Sequence, residues 1–165
     1  MKKKILILAM MFVTAICLFG GEIIDGKKIF SNEEIMESFK GGSAVWNKFR
    51  AENPDLTFES KFENKEFKKI NLEKYNLKGM SFKGSNMAGA VLKNADLEGA
   101  NLEDVNFYNA DLKETNLKGA NLLKANLDNT TLYNSDMENA KVNLKWKEKI
   151  EKKSVKKIRL IDWKR

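Results

Sequence analysis

Histidine is absent from the 165-residue chain, and cysteine and proline occur once each, as Cys17 and Pro54. Without imidazole, the side chain best suited to general base work and metal ligation near neutral pH is missing. A single cysteine excludes an internal disulfide. The serines have no plausible base to activate them, and no metal-ligand cluster or phosphate loop is spelled out. Asp96, Asp111 and Asp136 fall at outward repeat positions, where a solvated face is the ordinary explanation, and adjacent Glu103 and Asp104 carry no mark of a raised-pKa pair. No catalytic, metal or cofactor residue is assigned, and the chain reads as something other than an enzyme.

What is present is a period. An apolar residue stands at every fifth position from Phe62 to Val142, seventeen times without a miss. With 42% hydrophobic residues, chance would give this on the order of once in a million. Five fits neither the 3.6 of a helix nor the 2.0 of a strand. A short unit that turns a corner at each repeat fits it, which makes the fold a solenoid. Small residues usually precede a centre by two (Ala90, Ala95, Ala100, Ala110), and Asn or Asp dominates one before it (Asn101, Asn106, Asp111, Asn116). Gly or Asn commonly follows by two, as at Gly79, Gly84, Gly89 and Asn94. A corner requires φ > 0, which glycine adopts freely and asparagine tolerates. The large and small columns therefore point inward and the other three positions outward.

Units such as ADLEG (95–99), ANLED (100–104), ADLKE (110–114) and ANLDN (125–129) resemble the A(D/N)LXX unit of the pentapeptide-repeat family. The resemblance covers 60–142 and implies an all-β solenoid: a right-handed quadrilateral parallel β-helix of about four coils, four units to a coil. At ~4.8 Å between stacked strands the shaft would stand roughly 20 Å tall. Stacking every twentieth residue puts Leu72, Leu92, Leu112 and Leu132 on one face and Leu77, Leu97, Leu117 and Met137 on the next. The first coil departs from the pattern, with Lys65, Ile70, Tyr75 and Met80 in the small column.

Open solenoid ends invite edge-to-edge association, and both flanks read as caps. In the leader, 21–59, Ser31 and Glu34 fit a capping box. Ile35, Phe39, Trp46 and Phe49 continue at helical spacing up to Pro54, so one helix kinked at Gly41-Gly42 is expected. AVWNKFRAENPDL (44–56) is similar to a WNxWRxENP-type leader found before such repeats, with Phe49 in place of the second Trp. The aromatic pair is expected to plug the core, with a binding role as the alternative. EIIDGKKIF (22–30) suggests a hairpin around Asp25-Gly26. Downstream, 143–165 suggests a short helix near Leu144, Trp146 and Ile150, then a strand over 157–163, forming a helix-strand cap.

Residues 1–20 resemble a bacterial export signal, with Lys2, Lys3 and Lys4 before an apolar stretch from Ile5 to Phe19. That stretch is shorter than the ~20 residues of a comfortable span. Cleaved export to the periplasm, envelope or medium is expected first. Lipidation at Cys17, in the loose box Thr14-Ala15-Ile16-Cys17, is the second reading, and an uncleaved anchor the third.

Without the signal, 21–59 carries a net −3, the repeats 60–142 twelve charges of each sign, and 143–165 ten basic against three acidic groups. The basic character is local, so nucleic acid binding along the shaft is not expected. Lys152, Lys153, Lys156, Lys157 and Arg159 are the candidate contacts for an anionic surface. Some cytoplasmic relatives of this family mimic DNA and act on topoisomerases. The neutral shaft, with Lys93, Lys113, Lys118 and Lys124 breaking any acidic track, and the export signal both oppose that role. The expected function is an exported, non-enzymatic scaffold for an unknown protein or glycan partner, membrane-bound only if lipidated or uncleaved.

Overall fold

The computed structural model describes residues 22–24, 27–58, 61–152 and 162–164. Cys17 and the whole 1–20 segment lie outside them. Strands β1 (Glu22–Ile24) and β2 (Lys27–Ile29) pair antiparallel, with Glu22 opposite Ile29, while turn residues 25–26 lie outside the described set. Helix α1 (Asn32–Lys40) opens on the expected capping box: Glu34 N–H donates to Ser31 Oγ at 3.1 Å and Ser31 N–H to Glu34 Oε2 at 2.7 Å.

The single kinked helix is not found. Gly42 has φ +91°, outside any helical basin, and the chain restarts as α2 (Ser43–Glu52). Two helices result, each keeping its apolar residues inward: Ile35 and Phe39 from α1, Trp46 and Phe49 from α2.

Beyond Phe58 the chain winds in units of five. All seventeen centres from Phe62 to Val142 are buried, and so is the small column from Tyr75 to Ala140. Parallel bridges join residues twenty apart, from Glu66 with Asn86 to Asn116 with Asp136. The same register continues in β3 (Asn121–Leu122) and β4 (Lys141–Asn143). Twenty residues per turn with five per unit give four faces, here numbered by their first centre: Phe62, Phe67, Leu72 and Leu77.

The unit 95–99 explains the sequence pattern because each of its five N–H groups has an acceptor. Ala95 donates to Leu92 across the corner (3.0 Å), and Asp96 back to Tyr75 (2.8 Å). Leu97 and Gly99 donate forward to Asn116 and Lys118, both at 2.7 Å. Glu98 N–H, which faces no neighbouring coil, donates to the Asp96 side chain at 3.1 Å. Where Asn or Asp precedes a centre, as at Asn101, Asp111 and Asn116, its side chain therefore satisfies a backbone donor that stacking leaves over. Hydroxyls in the small column are satisfied as well: Thr115 donates to Leu92 O at 2.8 Å and Thr130 to Phe107 O at 3.0 Å.

Corner residues from Asn64 to Asn139, at steps of five, all have φ between 52° and 69°. They include Lys69, Lys74, Asp104, Glu114 and Lys124, which composition alone would not place there. The neighbours of each corner residue are fixed by bonds to adjacent coils, and this outweighs a left-handed penalty of about 1–2 kcal/mol.

After β4 come a 3₁₀ turn (Leu144–Trp146), helix α3 (Lys147–Glu151) and strand β5 (Asp162–Lys164). β5 lies parallel to β4, with Val142 opposite Trp163. The strand expected over 157–163 is described only from 162, and 157–161 lie outside the described residues. Trp146 and Ile150 are buried.

Candidate interaction surface

The first coil has no coil above it, so its strand groups on the fourth face need other partners. In the second coil, Asp96 N–H reaches Tyr75 O, while Asp96 O and Glu98 O accept from Leu77 and Gly79. One coil earlier, side chains from α2 fill the same three roles. Asn76 N–H donates to Asn47 Oδ1 (2.7 Å), Asn76 O accepts from Trp46 Nε1 (2.6 Å), and Lys78 O accepts from Arg50 Nη2 (2.7 Å). Asn47 Nδ2 also holds the corner carbonyl of Lys74 at 2.8 Å. A helix presenting Trp, Asn and Arg at i, i+1 and i+4 thus imitates a strand.

Trp46 and Phe49 are fully buried, in a ring cluster with Phe39, Phe58 and Phe62. Neither is available to a partner, so the pair fills the core as expected. Tyr75, out of pattern in the small column, donates its hydroxyl to Phe39 O at 2.9 Å, and burial raises its pKa against a backbone hydrogen bond from Gly42. Asn47 and Arg50 escaped the sequence reading as functional groups. Their place in the leader motif was the available signal.

The four faces differ in charge. The fourth alternates Lys78, Glu98, Lys118 and Glu138 down one column, with Lys78 2.9 Å from Glu98 and Lys118 3.6 Å from Asp136. Glu98 is held below its ordinary pKa by the Lys78 hydrogen bond first, and Lys78 is raised by the same contact. On the first face Glu103 lies between Lys83 (3.3 Å) and Lys124 (3.4 Å), and Lys83 foremost lowers its pKa.

The second face is nearly uncharged below its first coil. Asn86, Asn106 and Asn126 form an amide ladder, with Asn106 Nδ2 on Asn86 Oδ1 at 3.3 Å and Asn126 Nδ2 on Asn106 Oδ1 at 3.1 Å. Tyr108 stands out from it, 44% exposed. The one acid in that stretch, Asp128, pairs with Lys149 at 2.7 Å. On the third face Tyr133 is similarly exposed, beside the column of Lys93 and Lys113.

Of the basic candidates, Lys152 is exposed and lies 2.5 Å from Glu148, whose pKa it lowers. Lys153, Lys156, Lys157 and Arg159 lie outside the described residues. Among the described residues no cluster of acidic or thiol side chains could hold a metal ion. No helix among them is long and apolar enough to cross a membrane.

A closed square shaft of stacked five-residue units defines a repeat solenoid. Residues 57–127 match a family model described as pentapeptide repeat region. Among solved structures, the chain is similar to a pentapeptide repeat protein from the Arabidopsis thaliana thylakoid lumen, at 27% identity and TM-score 0.53, over 63% of each chain. It is also similar to the pentapeptide repeat protein Rfr23 from the cyanobacterium Cyanothece 51142, at 30% identity and TM-score 0.44, over 58% of this chain and 60% of that one. The match spans about 63% of the length of the thylakoid protein. No protein of curated function matches the sequence. Residues 57–127 thus match a pentapeptide repeat region, and that likeness implies a right-handed β-helix.

Proposed function

We propose that this protein is an exported, non-enzymatic scaffold whose second face docks a protein or glycan partner. The reading rests on one observation above others: the face built on Asn86, Asn106 and Asn126 is flat, polar and almost uncharged, with Tyr108 projecting from it. Amide groups at regular spacing offer donors and acceptors to a neutral polar ligand, and an exposed tyrosine adds apolar area with little rotamer entropy. On the first and fourth faces, by contrast, lysines pair with acids of neighbouring coils. On this reading the shaft is four coils tall, α1 and α2 cap one end, and α3 with β5 caps the other. Capping keeps the terminal coils from pairing with other molecules. Family analogy alone does not choose a partner.

Export rests on Lys2–Lys4 and the apolar stretch to Phe19. A pull-down from envelope fractions with the mature protein, beside its Tyr108→Ala variant, tests the docking face, and intact mass of the native protein tests the address. A partner retained by wild type and lost by the variant supports the reading; equal retention overturns the choice of face. Full-length protein in the cytosol overturns export and reopens the topoisomerase reading. A chain beginning at Cys17 and carrying diacylglycerol selects the lipid-anchored form, in which Lys152, Lys153, Lys156, Lys157 and Arg159 would lie against anionic headgroups.

A further inference from the structure

Arg50 carries a second feature that strand imitation does not use. Beside it opens a half-enclosed cavity of about 360 Å³, walled by Pro54, Leu56 and Phe58 and rimmed by Thr57 and Ser81. One guanidinium nitrogen, Nη2, is taken by Lys78 O. Nε is buried without an acceptor, and the group lies 4.9 Å over the Phe58 ring. No carboxylate among the described residues forms an ion pair with Arg50, whereas Lys78 beside it holds Glu98. Burial disfavours the Arg50 charge, and Asp96 offsets this only in part. A partly desolvated cation that faces a cavity and pairs with no carboxylate among the described residues favours an added anion.

We propose that this cavity binds an apolar carboxylate, with the Arg50 guanidinium and the Thr57 hydroxyl facing its oxygens and Pro54, Leu56 and Phe58 facing its carbon chain. Planar carboxylate suits the guanidinium fork. The cavity exceeds what a bare small anion fills, and three of its walls are apolar, so the tail contributes as well as the head. Ser81 offers no proton, because its hydroxyl is donated to Glu63, and the Lys78 ammonium is held by Glu98 at 2.9 Å. Two sources share this chemistry: a free short-chain acid and the C-terminus of a peptide ending in an apolar residue.

The test is a ¹⁵N-¹H titration of the mature protein, following the amides of Thr57, Phe58 and Gly79 and the Arg50 side-chain Nε–H. The probes are hexanoate, N-acetylleucine, acetate and phosphate, with chloride matched for ionic strength. Hexanoate or N-acetylleucine should give saturable shifts at these groups, at least tenfold tighter than acetate, and phosphate should do no more than chloride. Whichever of the two binds tighter identifies the free acid or the chain terminus as the source. Arg50→Gln should abolish saturation. Leu56→Asp, which leaves the Arg50–Lys78 bond in place, should weaken it at least tenfold, so a loosened helix α2 is not mistaken for a lost site. Linear shifts with every salt, phosphate binding as tight as hexanoate, or Leu56→Asp with unchanged affinity would each overturn the proposal.

Discussion

The middle of the shaft and its N-terminal end solve one problem with different chemistry. Between the second and third coils, backbone meets backbone: Leu97 N–H on Asn116 O at 2.7 Å and Asn116 N–H on Ala95 O at 3.0 Å. At the N-terminal end, an indole, an amide and a guanidinium take the place of the missing strand on the fourth face. The far end borrows the same device. Trp146 Nε1 donates to Ala125 O at 3.1 Å, where the preceding coil has Asn126 N–H on Val105 O. Lys124 N–H finds Asn143 Oδ1 at 2.6 Å where Asp104 N–H finds Leu123 O. The lesson is that a solenoid edge can be terminated by side chains from the flanking segments, provided they reach the strand's own hydrogen-bond positions.

The largest effects belong to the interior of the shaft. Leu97→Ala and Leu112→Ala remove fully buried side chains, and each should cost about 2–5 kcal/mol in denaturant unfolding. Outward Lys113→Ala should stay within about 0.5 kcal/mol. Equal stability of the three variants would break the division into inner and outer columns.

Next come the groups that imitate a strand. Trp46→Phe and Asn47→Ala keep the helix but orphan Asn76 O or Asn76 N–H, at an expected cost of about 1–3 kcal/mol each. Hydrogen exchange sharpens the comparison: Asn47→Ala should speed exchange at Asn76 far more than at Asp96, whose acceptor is the Tyr75 carbonyl. Uniform acceleration along the shaft would argue for general loosening instead.

Smaller still are the corners, where two equivalent sites should respond with opposite sign. Gly119 has φ +63° and open space where a Cβ would stand, so Gly119→Ala meets only the left-handed penalty, about 1 kcal/mol of lost stability. Glu114 adopts φ 57° with a side chain exposed to solvent. Glu114→Gly should therefore gain up to about 1 kcal/mol. Thermal melts of both variants shifting the same way would contradict the shared geometry.

The smallest effect is electrostatic. Glu98 is depressed below its ordinary 4.5, so its contribution is present above that pH and disappears as pH falls through the folded value. Lys78 is raised above 10.5, so its share holds below that pH and is lost as pH climbs past it. Glu98→Gln should then melt below wild type between these limits and converge with it in acid and at high salt. A difference that persists in acid would assign it to packing.

Much of the shaft was legible because its cause is local. A side chain every fifth residue, a small partner two before it and a glycine or asparagine two after it fix inward columns and corners within a single unit. The hairpin at 22–29 and the Ser31–Glu34 box were readable for the same reason. The α1–α2 break was harder: an apolar stripe in phase across Gly41-Gly42 suits one helix, and only the φ of Gly42 tells otherwise. The uncharged second face was within reach of the sequence once sorted by twenties, as Asn86, Asn106 and Asn126.

Five-residue periodicity and corner chemistry are properties of neighbouring residues, so the solenoid and its buried columns could be read from the chain alone. How the ends are finished, and which charges are left over, emerges only from the folded coil. Trp46, Asn47 and Arg50 bind groups 27 to 30 residues away, and no local rule gives those partners. Glu114 takes a left-handed corner because the coils above and below hold it, through Asn94 N–H on Lys113 O and its own N–H on Tyr133 O. Edge satisfaction and charge pairing depend on residues brought together by winding, and winding acts on the whole coil.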